Sequence, residues 1–155
     1  MEQKAEEVYF SDLQRARALL RESGASVVLC KGENYVTKSQ RGIRPLLEWE
    51  ESGEDYGGWS AADKIVGRAA AFLFILLGVR AVYGEVMSEG AFRILSERGI
   101  AAEYGTLAQT IRNREGTGMC PMEQAVLAVT EPTDAPQALR RALQHLRQKQ
   151  EAGGQ

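Results

Sequence analysis

The stretch that decides the fold reads Asp63-Lys64-Ile65-Val66-Gly67-Arg68-Ala69-Ala70-Ala71-Phe72-Leu73-Phe74-Ile75-Leu76-Leu77-Gly78. It opens with a residue that commonly caps helices, and from Ala69 onward it is apolar on every side. A helix without a polar face must be covered all round. The pattern therefore predicts a central helix from Asp63 to about Leu77, ended by Gly78 and packed against a sheet. The apolar run is too short to span a membrane.

Upstream of this helix, the sequence predicts a helix, a hairpin and a short helix. Ser11 and Gln14 form a capping box that predicts the start of the first helix, and Gly24 is its natural end. Two short β-rich segments flank Gly32-Glu33-Asn34, which predicts a β-hairpin. A short helix with Pro45 in its first turn follows, and then a short strand over 59–62.

Downstream, strands and helices alternate. We expect a strand over 79–86, a helix capped by Ser88 with Phe92 on its buried side, and a strand over 100–104. A second capping box, Thr106 with Gln109, predicts a short helix to Asn113. Further helices are expected over 120–129 and, with an apolar stripe, from about 135, before a frayed polar tail from residue 148.

This order predicts an α/β protein, a three-layer α-β-α sandwich with a mixed sheet in one domain over 1–155, its core at about 8–147. The net charge of -2 over 155 residues disfavours binding to nucleic acid. Neither two cysteines nor the charged N-terminal segment suggests secretion, so we expect a cytoplasmic protein without a membrane partner.

Three sequence blocks carry a resemblance to a known family. They are Arg41 to Leu47, Ala62-Asp63-Lys64 with Gly67 to Ala71, and Thr117-Gly118-Met119-Cys120-Pro121-Met122-Glu123. Over about residues 8–130 the chain resembles a small bacterial family of unknown function that is assigned to the cytidine deaminase-like fold. The resemblance implies that fold, with a site at the N-termini of two core helices, and no established activity.

The zinc ligands of the deaminases are missing from the matching positions. Those enzymes carry His/Cys-x-Glu at the start of the first core helix and Pro-Cys-x-x-Cys at the start of the next. Here the predicted helices begin Ala62-Asp63-Lys64 and Met87-Ser88-Glu89, without His or Cys. We therefore expect neither a metal nor a cofactor.

Asp63, Lys64 and Arg68 are the first candidate ligand-binding residues. At a helix N-terminus, free N–H groups together with two cations favour a phosphate or carboxylate. A spacing of four residues would put Lys64 and Arg68 on one helix face. Alternatively, Asp63 is a simple cap and the cations are solvated.

Ser88 and Glu89 open the partner helix, and Arg44 begins the short proline-bearing helix. Glu89 could serve as a general base or bind an amine, and Arg44 could clamp an anion. The simpler interpretation is a helix cap with a favourable charge and an exposed surface arginine.

Cys120 and Glu123 are the candidate catalytic residues. A thiol at a helix N-cap is activated by the helix dipole, and Asn113 and Arg114 in the preceding loop could support it as ligand-binding residues. The alternative is a small buried cysteine beside a cap-completing glutamate.

Three hypotheses follow. The chain is a zinc-free domain that binds a small anionic or nucleotide-like ligand, a thiol-dependent enzyme or redox protein using Cys120, or an interaction protein that forms a homodimer. The first is favoured, and the sequence leaves open whether the protein is an enzyme.

Overall fold

The computed structural model describes the backbone of residues 2–153 and the side chains of residues 11–152. The elements alternate as expected of an α/β protein. In chain order they are α1 Glu2–Ser23, β1 Val27–Lys31, β2 Asn34–Lys38, α2 Arg44–Ser52, β3 Ser60–Val66, α3 Arg68–Leu77, β4 Ala81–Ser88, α4 Glu89–Glu97, β5 Ala101–Ala108, α5 Pro121–Ala125, a 3₁₀ turn Pro132–Asp134 and α6 Ala135–Gly153.

The five strands form one mixed sheet in the order β2-β1-β3-β4-β5. β1 is antiparallel to both β2 and β3, whereas β3, β4 and β5 run parallel to one another. The β1–β2 hairpin is the one predicted from its turn, and Gly32 adopts a φ of 60° there. Because β3 and β4 are parallel, the helices that follow them begin at the same end of the sheet.

Helices cover both faces of this sheet, which confirms the α/β class. α1 packs on one face against β1, β3 and β4, with Leu13, Ala16 and Leu20 fully buried. The larger apolar core lies on the opposite face, where α3 and α4 pack on the sheet and α2, α5 and α6 pack against α3. Phe74 and Leu73 of α3 are fully buried at its centre. In the described part of the chain, no helix is long and apolar enough to cross a membrane.

The predicted start of the central helix at Asp63 is wrong. Residues 63–66 belong to β3, and α3 begins at Arg68 after an extended Gly67. Asp63 pairs with Val27 on one side and with Gly84 on the other. Backbone pairing with two neighbouring strands outweighs the local capping preference of one aspartate. Gly78 does end the helix, with a φ of 83°.

Two predicted helix starts were wrong. α1 begins at Glu2, so Ser11 lies inside the helix and not at its N-cap. Thr106 lies in β5, which pairs with β4 as far as Ala108, and residues 109–113 form no helix. In both cases the residues of the capping motif lie inside a helix or strand that is longer than predicted.

One helix end and one burial prediction were also wrong. α5 ends at Ala125 and not near residue 129, while the last helix, α6, extends to Gly153. Phe92, expected on the buried side of α4, is 37% exposed, whereas Leu95 is fully buried.

Candidate functional site

The N-termini of α3 and α4 lie side by side at one end of the sheet. Each helix follows directly from one of two paired parallel strands, β3 and β4, and the two helices pack against each other. In parallel α/β sheets, this carboxyl end of the strands is where ligands bind. The resemblance had placed the site at the starts of these two core helices, although the capping pattern had put the first start at Asp63, five residues before Arg68.

The start of α3 is capped by a carboxylate from a distant part of the chain. The Glu123 carboxylate accepts hydrogen bonds from the backbone N–H groups of Arg68, at 2.6 Å, and Ala69, at 2.9 Å. The N-cap residue, Gly67, offers no side chain for this purpose. Glu123 is 6% exposed and therefore holds a buried carboxylate at the positive end of a helix. The protein's own carboxylate therefore occupies these two amides.

Gly67 gives Glu123 the space to reach the α3 amides. A Cβ atom on residue 67 would overlap all three atoms of the Glu123 carboxylate group, at less than 3.0 Å. Any residue can adopt the φ of -99° that Gly67 has. The glycine is therefore needed here because it lacks a side chain, and not because of its backbone freedom. The glycine and the glutamate thus form one structural unit across 56 positions of sequence, from 67 to 123.

The Arg68 side chain crosses from α3 to the start of α4. A Cβ atom on Gly90 would overlap the Arg68 Nε atom and would lie 3.0 Å from Cζ. The guanidinium group therefore passes over the first turn of α4, where Gly90 leaves room for it. Arg68 is half-buried. It is the predicted ligand-binding residue that the structure brings closest to both helix starts.

The start of α4 is capped locally, as predicted. The Ser88 hydroxyl accepts a hydrogen bond of 3.1 Å from the Ala91 N–H. Ser88 is 2% exposed, and Glu89 follows it as an exposed carboxylate in the first turn. Ser88 therefore serves as a helix cap, while the Glu89 side chain is open to solvent beside the two helix starts.

Asp63 lies in β3 and not at a helix start, yet on the face that carries the site. Side chains alternate along a strand, so Asp63 shares the face of Ala61, which belongs to the larger core. Its Oδ1 atom accepts a hydrogen bond of 3.3 Å from the Ile65 N–H. Burial raises the pKa of Asp63 from 3.8 to about 7, and the nearby Glu85 charge adds to the increase.

Lys64 is exposed on β3, and its backbone N–H donates to the Ser26 carbonyl. The prediction that Lys64 and Arg68 share one helix face is therefore wrong, because Lys64 lies outside the helix. Of the three residues predicted at the start of the central helix, only Arg68 is in the helix. The candidate anion site has one positively charged side chain from this segment, not two.

Cys120 is the N-cap residue of α5, as predicted, but its environment is apolar. Its side chain makes no capping hydrogen bond, and it packs half-buried against the larger core. α5 has five residues, so its dipole is small. Glu123, expected to support this thiol, is directed to the α3 amides. The structure thus does not bring the two predicted catalytic residues into one catalytic pair.

The remaining predicted residues lie outside the pair of helix starts. Arg44 is exposed at the start of α2. Asn113 holds its own loop together: its Oδ1 atom accepts from the Thr117 N–H at 3.0 Å, and its Nδ2 atom donates to the Thr117 hydroxyl at 3.1 Å. Arg114 is exposed in this loop.

Zinc has no matching ligand set here. At the true start of α3 the sequence reads Val66-Gly67-Arg68, without His or Cys, as is also the case at the start of α4. Across the side chains that the structure describes, no group of three His, Cys, Asp or Glu residues could hold a metal ion. The residues present at the two helix starts therefore do not fit the deaminase zinc.

Sequence reasoning missed the joint role of Gly67 and Glu123. The available signal was a buried, apolar helix preceded by glycine, with no Ser, Thr, Asp or Asn to cap it. A buried helix start needs partners for its free N–H groups. Glu123 is close to these N–H groups in the folded structure but lies 55 positions from Arg68 in sequence, so the sequence did not indicate it as their partner.

The fold and the site define an α/β domain with a mixed five-stranded sheet and a candidate anion site at two paired helix N-termini. The family model TM1506, a domain of unknown function (DUF1893), matches residues 15–143. The chain belongs to this family.

A solved structure supports the same fold. The crystal structure of a DUF1893 family protein (TM1506) from Thermotoga maritima, at 2.70 Å resolution, is similar to this chain with a TM-score of 0.76 and 23% sequence identity. The match covers 87% of this chain and 90% of that one. No curated protein matches the chain. These comparisons establish family and fold, and they name no activity.

Proposed function

We propose that this domain binds a small anionic ligand, such as a nucleotide-like phosphate or a carboxylate, at the paired N-termini of α3 and α4. The observation that carries the proposal is the Glu123 carboxylate on the Arg68 and Ala69 amides. Two N–H groups that already bind one carboxylate have the geometry and charge to bind another. In this proposal, Glu123 occupies the ligand's place and withdraws when the ligand arrives.

Arg68 supplies a positive charge that attracts the anionic ligand. Its guanidinium group passes over Gly90, between the two helix starts, and offers several N–H donors in a planar fork. Glu89, exposed at the start of α4, could in turn accept a hydrogen bond from an amino group of the same ligand. A ligand with both an anionic and an amine end would use each of these groups.

The location also agrees with a deaminase-like architecture, which is part of the proposal. Two helices that follow neighbouring parallel strands begin side by side, and the anion site lies at their starts. That is where the resemblance places a site, and the general rule for α/β sheets does the same. Without zinc ligands, such a site would bind and not deaminate.

Competition with Glu123 sets the expected affinity. An attached carboxylate competes at a high effective concentration, so a simple anion displaces it poorly. A ligand must therefore gain further contacts, for example with Arg68, or bind only weakly. The proposal thus predicts weak binding of small anions to the native protein and stronger binding once the Glu123 carboxylate is removed.

The alternative, thiol chemistry at Cys120, has less support. A nucleophilic thiol needs a base within hydrogen-bond reach. His145, the one histidine of the sequence, is exposed on α6, and Glu123 is engaged with α3. Among the side chains that the structure describes, Cys120 thus lacks a base that could activate its thiol.

The test is a titration with inorganic phosphate, followed through the backbone amide NMR signals of Arg68 and Ala69. In Glu123→Ala these two signals should move with saturating phosphate, and in the native protein they should move less. Arg68→Ala in the Glu123→Ala background should weaken binding. Arg44→Ala is the matched control, because it removes an exposed arginine from the start of another helix.

The proposal fails if neither amide responds to phosphate in the native protein or in Glu123→Ala. It also fails if Arg44→Ala weakens binding as much as Arg68→Ala does, because the effect would then be one of net charge. A response in Glu123→Ala with none in the native protein at any concentration would make Glu123 a permanent structural cap and would reject ligand binding as the function.

A further inference from the structure

The β5 edge of the sheet carries exposed apolar side chains. β5, Ala101–Ala108, pairs with β4 on one side, and within the described residues it has no strand on the other. Tyr104 is 42% exposed and Leu107 is 39% exposed on this strand, and Phe92 of the neighbouring α4 is 37% exposed. The rings of Phe92 and Tyr104 meet edge to face at 5.7 Å. Leu107 also lies beside Phe92, so these three side chains form one apolar patch. Because Tyr104 and Leu107 are three residues apart, β5 departs from strict alternation between them.

Leu107 continues a row of core residues across the sheet to its β5 edge, where the row becomes exposed. Val66, Met87 and Leu107 occupy paired positions on β3, β4 and β5. Val66 and Met87 are completely buried, but Leu107, in the same row, is not. A further strand beside β5 would give Leu107 a neighbour on each side, as Met87 has in β3 and β5.

Neither lysine nor proline protects the β5 edge from pairing. Natural edge strands commonly carry lysine, proline or a bulge that blocks association. β5 has neither lysine nor proline over eight residues, and its one charged residue, Glu103, lies 3.7 Å from Arg17 of the same chain. An antiparallel copy of this strand would therefore meet no unbalanced charge on the strand itself.

We propose that β5 pairs with β5 of a second copy, giving a homodimer with one continuous sheet. A two-fold axis between Gly105 and Thr106 makes the two strands antiparallel. That register puts Tyr104 of each chain opposite Leu107 of the partner subunit, so that the two patches cover each other. Apolar side chains opposite one another on antiparallel strands are a favourable pairing.

The same axis brings the two α4 helices together at an ordinary packing distance. α4 packs on both β4 and β5, so its axis runs roughly midway above them. Adjacent strands are about 4.8 Å apart. The spacing between the two α4 axes is then roughly twice that value, about 9.6 Å, and helices pack at about 8–10 Å.

The exposed side of α4 is self-complementary in charge. Glu89 and Arg93 are exposed one turn apart, and both line the shallow groove between α4 and Leu107. Phe92 lies beside Tyr104 and Leu107, so the two-fold axis crosses α4 near residues 91 and 92. Antiparallel helices crossing there place Arg93 of one chain opposite Glu89 of the partner subunit. This charge pairing favours a second copy over an unrelated occupant.

Sedimentation of the full chain from micromolar to millimolar concentration tests the proposal. The native protein should form a dimer, and Leu107→Lys should abolish it by placing a charge in each patch. Ile65→Lys and Leu127→Lys are matched controls, because these apolar residues are 54% and 48% exposed away from the β5 edge. Both controls should leave the dimer intact. Far-UV circular dichroism confirms that each variant is folded.

A charge exchange on α4 gives a second test that does not touch the core. Arg93→Glu alone should weaken the dimer by repulsion from Glu89 of the partner subunit, and adding Glu89→Arg in the same chain should restore it. A native protein that is monomeric throughout overturns the proposal. So does a dimer that survives Leu107→Lys, or one that is lost equally in Ile65→Lys.

Discussion

The free N–H groups at the starts of α3 and α4 find their hydrogen-bond partners in two different ways. Both helices leave neighbouring parallel strands, and both have a buried N–H group at their start that is capped by a side chain. α4 is capped by the residue next to it, Ser88, whereas α3 is capped by Glu123, which lies 55 positions away in sequence. A local cap depends on one residue, while a distant one ties the helix to another part of the fold. It also leaves a carboxylate where a ligand's anion could bind.

The largest expected effect is that of Glu123→Ala, which removes the distant cap. It leaves the buried Ala69 N–H and the partly buried Arg68 N–H without partners and should lower the free energy of unfolding by about 3 kcal/mol. Chemical denaturation measures this loss. Glu131→Ala is the matched control, since Glu131 is exposed and makes no capping bond at the 3₁₀ turn. Equal stability of the two variants would show that Glu123 does not hold α3.

The second prediction concerns the strands that lead into the two helices, which differ at one pair of positions. β3 has Asp63 where β4 has Gly84. Burial raises the pKa of Asp63 from 3.8 in the unfolded chain to about 7 in the folded one. Between these values the folded state binds more protons, so this carboxyl lowers stability as the pH rises and adds no further change above about pH 7.

Asp63→Asn should therefore leave stability at low pH unchanged and raise it near neutral pH, by about 2 kcal/mol because the side chain keeps some solvent contact. Denaturation of both proteins at several pH values gives the difference. A constant difference between pH 4 and pH 7 would contradict the raised pKa. Gly84, which pairs with Asp63 on β4, has no ionisable side chain, so β4 adds no comparable pH dependence of stability at this pair of positions.

A third change sharpens the comparison by leaving Glu123 in place and closing the space it uses. Gly67→Ala puts a methyl group where the Glu123 carboxylate lies, and should cost about 1.5 kcal/mol through crowding and displaced hydrogen bonds. In the Glu123→Ala background the same substitution should cost far less. A double-mutant cycle measures this coupling, and simple additivity would separate the glycine from the glutamate.

Ser88→Ala removes the local cap of α4 and should cost about 1 kcal/mol, clearly less than Glu123→Ala. Ser88→Thr keeps the hydroxyl and is the conservative control. The ratio of the two losses measures how differently the helix starts are held. A Ser88→Ala loss that equals that of Glu123→Ala would remove the distinction between local and distant capping.

The smallest effect is expected for Gly90→Ala. Alanine favours a helix over glycine, and the crowded atom is at the flexible Arg68 side chain, so stability should change by less than about 1 kcal/mol. The guanidinium group must move, however, and phosphate binding to Glu123→Ala should weaken when Gly90→Ala is added. Unchanged phosphate binding would mean that the position of Arg68 over α4 does not matter.

The same contrast explains how much could be predicted from sequence. The hairpin, the start of α4 at Ser88 and the glycine that ends α3 follow from neighbouring residues, and all three are confirmed. The start of α3 was missed because Asp63 is an adequate cap in isolation. Pairing with strands on both sides held it in β3.

Part of the candidate site could be predicted for the same physical reason. Arg68 and Ser88 were assigned from helix starts, and the structure brings those starts together. The hydrogen bonds between Glu123 and α3 could not be predicted, because the two segments are far apart in sequence and only the tertiary fold brings them together. Glu123 had been interpreted beside Cys120, its neighbour in sequence, and the fold turned it towards a different partner.

The most direct test of Glu123 as the occupant of an anion site is rescue of Glu123→Ala by free phosphate. The melting temperature of this variant should rise by several degrees as phosphate is added, beyond the change in chloride of equal ionic strength, because phosphate restores partners to the Arg68 and Ala69 amides. Glu131→Ala should show no such excess. A melting temperature of Glu123→Ala that responds equally to phosphate and chloride would contradict an anion site at the start of α3.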